Sequence, residues 1–88
     1  MPTNISLLIV DDEESVRDSL YNWFVEDGFE VSCAADAKEA LSMLESESFD
    51  IILADIKMPG MDGMEMHRRI RALNPESIVI IMTAFASV

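Results

Sequence analysis

The chain has 88 residues, with 17 acidic against 6 basic side chains and a formal net charge of -11. That length holds one small domain, and a hydrophobic share of 50% is too high for a disordered acidic tail. A pI of 4.1 argues against a phosphate-gripping nucleic-acid surface and suits a cation or a basic protein partner. The single cysteine, Cys33, cannot form an internal disulfide, which points to a reducing compartment. Crossing a bilayer takes roughly 20 apolar residues, whereas the longest apolar run here is Ile78–Met82. The opening Met1-Pro2-Thr3-Asn4 carries no secretory pattern. The expected location is the cytoplasm, with no membrane contact.

In chain order, the apolar run Ile5–Val10 predicts a first strand. Val16, Leu20, Trp23 and Phe24 recur at helical spacing and predict a first helix with these four as its core stripe, closed at Asp27-Gly28. A second strand is expected at Val31–Ala34, where Cys33 reads as a small buried hydrophobe. Ala37, Ala40, Leu41 and Leu44 form a second helical stripe, and Asp36 with Glu39 has the spacing of a capping box. The run Phe49–Ala54 predicts a third strand. Met66, Ile70 and Leu73 mark a third helix, with Asp62 and Glu65 at its start and Asn74-Pro75 at its end. Arg68, Arg69 and Arg71 read as a solvated face of that helix. Ile78–Met82 predicts a fourth strand.

An alternation of buried strands and helices calls for an α/β fold with a parallel sheet. Right-handed crossovers then give a doubly wound sheet of order 2-1-3-4, with helix 1 on one face and helices 2 and 3 on the other. Its switch point falls between strands 1 and 3, where such sheets bind ligands at the strands' carboxyl ends. Asp11 and Asp12 follow the first strand, Asp55 follows the third, and Thr83 follows the fourth. Singly, each has a bland reading: Asp12 or Glu13 as a helix cap, Asp55 as a turn residue, Thr83 as an ordinary strand end. Together they place three mutually repelling carboxylates in one crevice, a donor set that fits Mg²⁺ and leaves room for a phosphoryl group. A carboxylate there can act as a nucleophile and give an aspartyl phosphate.

Three segments, Leu7–Glu13, Asp55–Gly63 (Asp-Ile-Lys-Met-Pro-Gly-Met-Asp-Gly) and Ile80–Ala84, resemble those of response regulator receiver domains of two-component signal transduction, which have the flavodoxin-like receiver fold. The stretch Thr83–Ala86 is similar to the enhancer-binding, nitrogen-regulator type, which implies a part in transcription regulation. The resemblance implies that Asp55 is the phospho-acceptor, that Asp12 binds Mg²⁺ directly and that Asp11 acts through water. It also implies the backbone carbonyl of Lys57 as a further ligand and Thr83 as the switch hydroxyl, with Pro59 and Gly63 shaping the intervening loop. The implied donor is a sensor histidine kinase docked partly on the first helix, Glu14–Asp27. The chain would be no enzyme beyond catalysing its own phosphorylation.

The family's fourth helix would begin at Val88. Residues 1–88 are therefore read as an incomplete receiver domain lacking helix 4, strand 5 and helix 5, with the lysine that ends strand 5 and with the output domain. The exposed fourth strand would then favour a dimer or swapped oligomer. The alternative function is a non-phosphorylated interaction or dimerisation module. A phosphohydrolase with an aspartate nucleophile fits less well, because its first strand would end in Asp-x-Asp rather than Asp11-Asp12.

Overall fold

The computed structural model describes residues 4–55 and 63–82. Four strands and three helices alternate: β1 (Ser6–Val10), α1 (Glu14–Glu26), β2 (Glu30–Ala34), α2 (Ala37–Leu44), β3 (Ile51–Asp55), α3 (Gly63–Leu73) and β4 (Ile78–Met82). All strand pairs are parallel, in the order β2-β1-β3-β4. This is the doubly wound architecture expected from the apolar runs. The fourth strand has the expected bounds, and the third begins two residues later than its apolar run, because Phe49 and Asp50 lie ahead of the ladder.

Side-chain alternation divides the core between the two faces of the sheet. Leu8, Val10, Ile52 and Ala54 meet Ala37, Ala40 and Leu44 of α2 and Met66 and Ile70 of α3. Leu7, Ile9 and Leu53 point the other way, toward Leu20 and Phe24 of α1 and Phe29. Among the described residues, the α1 face is the thinner layer, and no residue of α1 is fully buried.

Three expectations of burial fail here. Trp23 is 65% exposed instead of belonging to the core. The helix is rotated so that Leu20 and Phe24 point inward, while the indole lies at the edge of the stripe and stacks on Phe24 at 6.3 Å between centroids. Leu73 is likewise exposed, because α3 turns Met66 and Ile70 to the sheet and Leu73 lies outside that buried pair. Cys33 is only partly buried; it packs on the α1 face and loss of hydration raises its thiol pKa.

Local signals decide the helix ends. After α1, Gly28 adopts φ +98°, donates to the Val25 carbonyl, and lets Phe29 donate to the Phe24 carbonyl. The Phe24 and Phe29 rings then meet edge-on at 5.5 Å, completing a Schellman closure with its hydrophobic contact. At α2, Asp36 Oδ1 accepts from the Glu39 amide at 2.8 Å, while Glu39 Oε1 accepts from the Ala35 amide at 2.9 Å. The reciprocal cap is thus shifted one residue outward from the usual box. After α3, buried Asn74 donates from Nδ2 to the Phe49 carbonyl and ends the helix against the sheet. The corresponding expectation for Asp62 lies outside the described residues. Arg68 and Arg69 are exposed and both pair with Glu65, in keeping with a solvated face.

Candidate functional site

The strands' carboxyl ends converge between β1 and β3, where Val10 pairs with Ala54. Asp11 follows Val10 directly and keeps the ladder going for one more bond, its amide donating to the Ala34 carbonyl. Asp55 closes β3. One carboxylate oxygen from each of Asp11, Asp12 and Asp55 lies within 4.8 Å of the others. Asp11 is buried, Asp55 half-buried and Asp12 exposed, so the crevice runs from the sheet end out to solvent.

The turn from β1 into α1 holds Asp11 on three sides. Besides the Ala34 bond, Asp11 Oδ1 accepts from the Glu13 amide at 2.9 Å. Its main-chain oxygen accepts from the Arg17 guanidinium at 2.8 Å. Glu13 occupies the N-cap of α1, yet its side chain makes no capping bond. The bland alternative, that these acids merely cap the helix, therefore does not describe Glu13; Asp11 stabilises the turn instead.

Burial is the largest influence on Asp11 and raises its pKa, because the charged form loses hydration. The Glu13 amide and Arg17 act in the opposite sense, and the neighbouring Asp55 and Asp12 add to the rise. A hard divalent cation relieves such crowding by supplying charge that water no longer provides. The donor set fits this chemistry: three carboxylates, no sulfur or imidazole, and an open side at Asp12.

Lys57, Pro59 and Thr83 lie outside the described residues, and Gly63 opens α3. Arg17 is the residue that sequence reasoning overlooked. The signal was available: a cation close to a helix N-terminus opposes the helix dipole, so it needs a local partner.

A doubly wound parallel sheet with a carboxylate cluster at its switch point defines a class of α/β domains that carry an acidic crevice at the strands' carboxyl ends. Within that class, this chain belongs to the response regulator receiver domain family, which it matches over residues 7–88. It is 42% identical over 82 residues to the regulatory protein AtoC of Escherichia coli (strain K12), covering 93% of this chain. The chain spans only 18% of that relative's length. A CheY-like receiver domain from Methanospirillum hungatei JF-1 superposes with a TM-score of 0.90 at 37% identity, over 98% of this chain and 69% of that one. A response regulator from Burkholderia pseudomallei, solved with a phosphorylated aspartic acid, calcium and citrate, gives 0.87 at 25% identity, over 97% and 50%. No helix among the described residues is long and apolar enough to cross a membrane.

Proposed function

We propose that this chain accepts a phosphoryl group on Asp55 and passes the change on to an output domain that controls transcription. The observation that carries the reading is the meeting of Asp11, Asp12 and Asp55 within 4.8 Å at the sheet's switch point. A packing scaffold has no use for three crowded carboxylates, one of them buried, because they cost stability. The phosphorylated aspartate and calcium in the Burkholderia pseudomallei relative support the same chemistry.

In this reading a carboxylate oxygen of Asp55 attacks the phosphorus of a sensor kinase's phosphohistidine. A P–O bond forms, the P–N bond breaks, and the imidazole leaves. Asp11, Asp12, Asp55 and the main-chain carbonyl of Lys57 would hold Mg²⁺, which when bound offsets negative charge on the transferring oxygens. Asp11, fixed by the Glu13 amide and by Arg17, keeps one face of the crevice in register with Asp55. Thr83 donates its hydroxyl to the new phosphate and so reports its presence. The edge position of β4 in the described sheet, with Ile78 and Ile80 exposed, favours pairing with another copy as a secondary property.

Incubation with acetyl phosphate and Mg²⁺, followed by intact-mass spectrometry, tests the reading. The wild-type chain should gain one phosphate and Asp55→Asn should gain none. Equal labelling of the variant would remove Asp55 from the role.

A further inference from the structure

We infer that Arg17 is a positioning residue for the cation crevice: its guanidinium reaches back from α1 to the Asp11 carbonyl, steadies the Asp11–Glu13 turn and so aims Asp11 at Asp55. The inference rests on the phospho-accepting reading for its purpose, although its geometry stands apart from it.

Arg17 makes two bonds to this turn. Its guanidinium donates to the Asp11 carbonyl at 2.8 Å, the bond that is particular to arginine, and its amide donates to the Glu13 carbonyl at 3.0 Å as the first i→i−4 bond of α1, which any residue here would make. Between those two carbonyls lies Asp12, with one carboxylate oxygen in the cluster. Inside the same turn the Glu13 amide is held by Asp11 Oδ1, which commits that oxygen and fixes the carboxylate plane. The turn is therefore closed by one internal bond and one side chain reaching back from the helix. Without the guanidinium, the Asp11 carbonyl at the end of β1 loses its side-chain donor, and the turn between the Ala34 bond and the first bond of α1 is restrained by the Asp11 Oδ1–Glu13 amide bond alone. A main-chain rotation there would swing Asp11 and Asp12 together, away from Asp55.

Arg17 also brings a positive charge near Asp11. A counter-charge alone would compete with a bound cation, so its removal would tighten Mg²⁺ binding. A positioning clasp predicts the opposite sign. Partners that orient metal ligands are typically worth about 10–100-fold in affinity, and one held through a main-chain oxygen belongs near the lower end. Lysine keeps the charge and one donor that can reach the carbonyl, whereas methionine keeps the apolar stem and loses both.

The test uses the full chain as wild type, Arg17→Met and Arg17→Lys, titrated with MgCl₂ by calorimetry. Amide exchange is followed by NMR in EDTA. Arg17→Met should weaken Mg²⁺ binding by about tenfold, and Arg17→Lys should recover most of the loss. In EDTA the Glu13 amide should exchange faster in Arg17→Met while the Ala40 amide, bonded to the Asp36 carbonyl in α2, stays protected. Unchanged or tighter Mg²⁺ binding by Arg17→Met would overturn the inference, as would equal loss of protection at Glu13 and Ala40. A wild-type chain that binds no Mg²⁺ would refute the phospho-accepting reading; the Glu13 exchange rate would then decide the clasp alone, faster exchange upholding it and unchanged exchange overturning it.

Discussion

Replacing Asp11 by asparagine should stabilise the cation-free protein, although it alters a buried, hydrogen-bonded residue. The amide oxygen of asparagine can still accept from the Glu13 amide, so the turn keeps its internal bond while one negative charge disappears. Two unit charges 4.8 Å apart repel by about 3.5 kcal/mol at an effective dielectric of 20. Each carboxylate spreads its charge over two oxygens, Asp12 is exposed, and Arg17 offsets part of the field, so about 1–2 kcal/mol is expected. The pH dependence follows from the raised Asp11 pKa. The cost of the charge is absent when Asp11 is protonated, below its ordinary value, and develops as pH rises through its raised value. The advantage of Asp11→Asn is therefore full at neutral pH and fades in acid. Saturating Mg²⁺ should reverse the order, since a ligand at about 100 times its Kd adds about 2.7 kcal/mol to the wild type, while the variant has lost a ligand. Urea unfolding of both proteins, in EDTA and in millimolar Mg²⁺ across a pH series, reads all of this. A variant less stable than the wild type in EDTA at neutral pH, or equally stabilised by Mg²⁺, would refute the reasoning.

Three further outcomes are expected. Asp36→Ala removes the bond to the Glu39 amide and should cost about 1 kcal/mol in chemical denaturation, with helix loss confined to the start of α2 by amide exchange. Ile70→Ala empties a fully buried site between α3 and the sheet and should cost about 2–5 kcal/mol in urea unfolding, the largest single effect among these variants. Trp23→Ala should change the urea midpoint little, within about 0.5 kcal/mol, because the indole is mostly in solvent; a loss comparable to that of Ile70→Ala would show that the ring is buried after all.

The alternation of strands and helices was plain in the sequence because strands covered on both faces read as unbroken apolar runs, as Leu7–Val10 of the central strand does. The crevice was legible for a related reason: sheet order follows from connection handedness, and strand ends are where the apolar runs stop. Trp23 was misread because helical periodicity gives a stripe but not its rotation about the helix axis. That rotation depends on which sheet residues wait beneath, here Leu7, Ile9 and Leu53 under Leu20 and Phe24. For Arg17 the sequence signals only that a cation in the first turns of α1 needs a local partner; that the partner is the main-chain oxygen of Asp11 is not encoded in any side-chain pattern. The outward shift of the α2 cap to the Ala35 amide is equally invisible to residue spacing alone.

The opposite rim of the sheet is stitched independently. The Ser6 amide and hydroxyl both donate to Asp50 Oδ2, and the Asp50 amide donates back to Ser6. The Ile78 amide bonds the Asp50 carbonyl, and the Glu30 amide bonds the Ile5 carbonyl, so all four strands are tied together at their starts. The sheet thus behaves like a bound book, sewn along the spine and open at the fore-edge. Residues at the fore-edge can be exchanged for other acids, or spaced for a larger ion, while the binding that keeps the pages aligned stays untouched.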